Sequence, residues 1–109
     1  MEHLLRSTLQ RLPVNNMANN RVEVIFQIGN KIMQYNIFRI RTNDFMIIAI
    51  DMDTNQHTRI YTNLEEILLS LYSEGEVRGV YYHTGNTKTQ LYPIRPRQQR
   101  VNGNKPRRN

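Results

Sequence analysis

A chain of 109 residues with 39% hydrophobic content and a net charge of +6 has room for one small domain. The absence of cysteine excludes disulfides and thiolate metal sites, so the usual staples of a small fold are missing and a fit to a reducing compartment is expected. No apolar run approaches the roughly 18 residues that cross a bilayer, and residues 1–20 lack the pattern of a secretory leader. No membrane partner and an intracellular setting are therefore expected, with nuclear or virus-associated placement left open.

Leu4, Leu5, Leu9 and Leu12 recur at helical spacing, and Pro13 stops them. Residues 1–12 thus offer a short amphipathic helix, marginal alone in water, or nothing ordered, with docking onto the body or a partner as one outcome. Residues 15–20, four of them asparagine, read as linker. Residues 1–20 are an N-terminal arm, and residues 21–94 are the folded body.

Residues 21–28 alternate, with Val22, Val24, Phe26 and Ile28 on one side and Glu23, Ile25 and Gln27 on the other. That is the pattern of a half-buried strand. Gly29-Asn30 marks a turn. In residues 32–41, a second strand, Phe38 and Ile40 share one face while Tyr35, Ile37, Arg39 and Arg41 share the other. Thr42-Asn43-Asp44 supplies the next turn. Residues 45–52 are nearly all apolar, which predicts a third strand covered on both faces. After a polar turn, residues 58–61 make a short fourth strand.

The period then changes. Leu64, Ile67, Leu68 and Leu71 form one helical face over residues 63–73. Thr62 with Glu65 and Asn63 with Glu66 are alternative capping pairs, and Gly75 is a suitable stop. Residues 77–83 and 88–94, joined by Thr84-Gly85-Asn86-Thr87, read as a hairpin. The expected fold is α+β: an antiparallel four-stranded meander, one helix, a C-terminal β-hairpin and a disordered basic tail.

The tail holds the whole charge excess. Residues 1–94 carry nine basic and nine acidic side chains, whereas residues 95–109 carry Arg95, Arg97, Arg100, Lys105, Arg107 and Arg108 with no acid. A one-signed arm on a neutral body suits a polyanion, because Lys and Arg release counterions condensed on phosphate backbones.

Little supports catalysis. Asp51-x-Asp53-x-Asn55 opens like a calcium loop, but Gln56 stands where the turn needs Gly and Thr62 where a bidentate Glu is needed. His3, His57 and His83 are scattered, without a metal-ligand spacing, and no glycine-rich phosphate loop exists. The chain reads as a non-enzyme without cofactor or metal. The stronger pattern is Tyr35, Arg39 and Arg41 on one face of strand two, with Arg59 and Tyr61 on one face of strand four. Aromatic rings on a sheet stack unpaired bases while arginines track phosphates.

Phe26-Gln27-Ile28-Gly29, the stretch from Tyr35 to Asp51, and Ile60-Tyr61-Thr62-Asn63-Leu64-Glu65-Glu66-Ile67 resemble the single-stranded-DNA-binding domain of the transcriptional positive cofactor four (p15 coactivator) family. The resemblance covers about fifty residues. It departs from the family at Leu64, where Pro is common, and at Ile67, where Trp is common. It implies a homodimer with packed helices and a curved sheet surface for unpaired strands.

The leading expectation is a non-enzymatic binder of single-stranded DNA or RNA, acting in transcription or replication. The competing readings are a self-assembling structural or host-protein interaction module, and a viral RNA-binding protein. A homodimer is expected in addition, with Leu68, Leu69 and Tyr72 at its contact, because the apolar arc of the 63–73 helix exceeds one sheet contact.

Overall fold

The computed structural model of the chain describes residues 1–14 and 19–93. The expected basic tail, and most of the expected linker, lie outside the described residues. Six strands form one antiparallel sheet: β1 (Asn20–Ile28), β2 (Lys31–Arg39), β3 (Asp44–Asp51), β4 (His57–Asn63), β5 (Glu76–Thr84) and β6 (Thr87–Tyr92). Their spatial order is β4-β3-β2-β1-β5-β6. The first four make the expected meander. Helices α1 (Glu2–Gln10) and α2 (Leu64–Ser73) pack on one face.

Turn chemistry sets the register. Gly29 has φ +58° between the paired residues Ile28 and Lys31, and Gly85 has φ +58° between Thr84 and Thr87. A positive φ at the first central residue alone is the II′ arrangement, whose twist matches that of the flanking strands. The β3–β4 loop is closed by a side chain instead. Asp51 Oδ1 accepts from the N–H of Asp53 at 2.9 Å and of Thr54 at 3.2 Å. Lys31 Nζ sits 3.2 Å from Oδ2 of the same carboxylate. The Asp53 N–H above all, then Lys31 and the Thr54 N–H, hold the Asp51 carboxyl below the ordinary range. The acid that opens the calcium-like pattern is thus occupied in a turn.

Of the two capping pairs, the second is used: Asn63 Oδ1 accepts from the Glu66 N–H at 2.9 Å. Helix α2 then carries the chain across the sheet, so that β5 lies beside β1. Gly75 has a different role from a helix stop, since the C-cap is Glu74 in right-handed geometry. A Cβ at Gly75 would run into the Gln27 carbonyl and within 2.8 Å of Phe26 Cζ. Close approach to β1 is what requires glycine there.

The first twelve residues of the N-terminal arm are part of the body. Leu5, Leu9 and Leu12 are fully buried beside Ile67, Leu68 and Leu71 of α2 and Val22, Val24 and Phe26 of β1. Burying each leucine contributes about 1.5–3 kcal/mol, which holds a helix too short to persist alone. Arg6 joins the helices, with Nη1 donating to Glu65 Oε2 at 2.6 Å and Nη2 to Oε1 at 3.2 Å.

Candidate nucleic-acid interface

Cross-strand partners share a face, so the pairing register sorts every strand residue. Val22 pairs with Ile37 and Val24 with Tyr35; Tyr35 pairs with Ala49 and Ile37 with Ile47. All of these point to the helices. The opposite parity forms a face without a helix among the described residues. One row runs straight across it from edge to edge: Arg59, Ile48, Asn36, Glu23, Tyr81 and Gln90. At the usual strand spacing its ends lie roughly 24 Å apart.

Two expected site residues are on the wrong face. Tyr35 is buried in the core, 5.5 Å from Phe26 ring to ring, and burial followed by the Glu74 charge raises its pKa. Arg39 reaches under the helix layer. Its Nη1 donates to the carbonyls of Gln10 at 2.8 Å and Leu12 at 3.1 Å, and Nη2 donates to Thr42 O at 2.8 Å. Helix α1 has no basic residue in its last turn, so Arg39 supplies the cation its C-terminal dipole and orphan carbonyls need. Arg39 is on the covered face, and Arg41 lies beyond the end of β2, so the two do not share a strand face.

Arg59, Tyr61 and Arg41 are accessible. Arg59 and Tyr61 lie on the helix-free face of β4, opposite Ile48 and Met46, and Tyr61 is 63% exposed. Arg41 stands in the β2–β3 loop, loosely paired with Asp44 at 3.4 Å. Arg41 and Tyr61 line one shallow hollow with Ile40, Asp44 and Asn63. Arg59 and His57 line the next one, with Ile48 at its base. The tail residues Arg95, Arg97, Arg100, Lys105, Arg107 and Arg108 lie outside the described residues.

At the other flank the fold adds residues that parity arguments alone left out. Lys88 Nζ lies 4.6 Å from the centre of the Tyr81 ring, and the two line a hollow with Thr89 and Gln90. His83 pairs across β5–β1 with Arg21 and across β5–β6 with Lys88, on the same face. The alternation Val80, Tyr81, Tyr82, His83 carried this signal. It is readable only once β5 is known to lie beside β1. Comparisons with protein-family models, with curated proteins and with solved structures find no match.

Between the flanks sits one buried acid. Glu23 is 6% exposed; it accepts from His83 Nε2 at 2.7 Å and Gln34 Nε2 at 2.8 Å, with Lys88 Nζ at 3.6 Å. Burial is the largest influence and opposes its charge, but the His83 and Gln34 hydrogen bonds and the Lys88 charge together outweigh it. The carboxyl is held below the ordinary range. An ionised Glu23 is thus neutralised by its own partners and presents little free negative charge to solvent. Beside it, Arg21 Nε donates to Asn36 Oδ1 at 3.0 Å. The middle of the face is otherwise amide and apolar and nearly closed to solvent, with Phe38 (9% exposed) and Met46 (6%) directly opposite each other, so its accessible side chains lie at the flanks.

The expected helix contact is also corrected in part. Leu68 is buried in the core of its own chain, because α1 covers the flank of α2. Leu69 is 61% exposed and Tyr72 half-exposed, and the two line a groove with Glu2 and Glu65. Partial burial, then the Glu2 charge, pushes the Tyr72 phenol up to about 12. No helix among the described residues is long and apolar enough to cross a membrane. No cluster of three metal-ligating side chains occurs among them.

Proposed function

We propose that this chain is a non-enzymatic nucleic-acid-binding protein that prefers single strands. It holds bases on the helix-free sheet face and phosphates with that face and the 95–109 arm, in transcription or replication. One observation carries the proposal. Aromatic and basic side chains, Arg59 with Tyr61 and Tyr81 with Lys88, flank the open face at both ends, while the acids Glu2, Glu65 and Glu66 lie on the helix layer. Rings provide stacking platforms for unpaired bases, which a duplex keeps stacked on one another. On the helix-free side the acids Glu23 and Asp44 have the basic partners Lys88 and Arg41, which limits their repulsion of phosphate.

The resemblance to the positive cofactor four family supports the same proposal. The order that carries it, four hairpin-linked strands and then a capped helix, is the order of β1 to β4 and α2. Within it the nucleic-acid contacts fall to Arg41, Arg59 and Tyr61, and Tyr35 and Arg39 become scaffold. A homodimer belongs to the proposal. Exposed apolar residues available for it include Leu69 and Tyr72 on α2 and Ile60 and Tyr61 on β4.

Fluorescence-anisotropy titrations with matched single- and double-stranded DNA and RNA over a salt series test this. Single-strand preference should survive removal of residues 95–109. The salt slope should shrink by at most about 4, from six charges at about 0.7 each. Loss of the preference with the arm would overturn the sheet's role and favour the self-assembling module.

A further inference from the structure

We propose that β4 is the contact between two copies of this chain, joined edge to edge in an antiparallel ladder centred on Ile60. The two free edges of the sheet differ. The β6 edge is short, carries Lys88 and is followed by Pro93, features that keep an edge from pairing. The β4 edge is only one residue longer and carries the cation Arg59, but it has no Lys and no Pro at its end. His57–Asn63 contains no Pro, Gly or Lys, pairs with β3 without a register shift, and exposes Ile60 (38%) and Tyr61. An edge of this kind is a template for another strand.

Its outward backbone groups follow from two hydrogen bonds. The Asp51 N–H donates to Gln56 O at 2.9 Å toward β4, and the Met52 N–H donates to Ile32 O at 3.0 Å on the other side. Direction alternates along a strand, so Ala49, Ile47 and Phe45 point to β4, and their partners Thr58, Ile60 and Thr62 point back. Arg59 and Tyr61 therefore turn N–H and C=O to solvent. Antiparallel pairing sets outward residues opposite outward residues. The register with Ile60 opposite its own copy meets this condition and pairs all seven residues of the strand.

Side chains suit that register. Arg59 faces the partner's Tyr61, guanidinium against ring, and Thr58 faces the partner's Thr62. Ile60 covers its own copy on the helix side, which buries the apolar surface that β4 leaves exposed. No like charges stand directly opposite. The two open faces become one continuous surface, with both Arg59–Tyr61 sets at its centre.

A chain without cysteine allows a clean test. In this register Ile60→Cys places two Cα atoms in a non-hydrogen-bonded pair about 4.5 Å apart, within reach of a disulfide. The full-length Ile60→Cys protein should crosslink to a dimer under mild oxidation, and Leu69→Cys should remain monomeric on a non-reducing gel. Ile60→Lys sets two ammonium groups face to face and should turn the sedimenting dimer into a monomer with unchanged circular dichroism. Crosslinking through Leu69 in place of Ile60, a dimer that survives Ile60→Lys, or a wild-type monomer at tens of micromolar would overturn the proposal.

Discussion

On β2, Tyr35 and Arg39 point toward the helices; on β4, Tyr61 and Arg59 point away from them. The two pairs share residue types, at spacings of four and two that each keep a pair on one face, and their strands are separated only by β3. Tyr35 fills the core against Phe26, and Arg39 spends its guanidinium on the carbonyls that end α1. Tyr61 and Arg59 have solvent on the same atoms. An Arg–Tyr pattern thus acquires its role from which face the helices take, and parity within one strand does not reveal that.

Breaking the β2 pair should cost stability. Tyr35→Ala removes a buried ring and should destabilise by about 3 kcal/mol in urea melts, with residual binding scaling to the folded fraction. Arg39→Ala leaves the Gln10 and Leu12 carbonyls without their charged donor and should cost about 2 kcal/mol. Its first sign should be loss of α1, seen as hydrogen-exchange protection falling over Glu2–Gln10 before the sheet.

Breaking the β4 pair should cost binding. Tyr61→Ala should weaken single-strand affinity by about 1.5 kcal/mol and duplex affinity less, with urea midpoints within experimental scatter of wild type. Equal losses on both nucleic acids would reject stacking.

Glu23, buried in the middle of the helix-free face, ties stability to pH. Its folded pKa is depressed, so the stability it contributes is full above the unfolded carboxyl value, about 4.3, and fades as pH falls through the lower folded one. Wild type should therefore lose stability below about pH 4. Glu23→Gln should show a flatter acid limb, and parallel acid limbs for the two proteins would contradict the assigned network.

Element types were readable because local patterns agreed with the fold. Alternation in β1, the Gly29-Asn30 and Gly85-Asn86 turns, and Asn63 before an apolar stripe all acted within a few residues. The core leucines of residues 1–12 were visible as a stripe, but their partner was not, since docking joins Leu5 and Leu9 to α2 across some sixty residues. That one long-range contact explains most of the site errors. It covers α2 and so places Leu68 in the core, and it gives Arg39 a helix end to cap. Tyr81, His83 and Lys88 were missed for a related reason. Their face is defined by β5 lying beside β1, a neighbour four strands earlier in the chain.

Binding depends on the face more than on the total charge, and two charge-matched substitutions separate the two effects. Arg59 lies on the open face and Arg6 on the helix layer, each contributing one cation to a neutral body. The slope of log affinity against log salt for single-stranded DNA should fall in magnitude by about 0.7 for Arg59→Gln and stay at the wild-type value for Arg6→Gln. Equal changes for the two variants, or a larger one for Arg6→Gln, would contradict binding on the open sheet face.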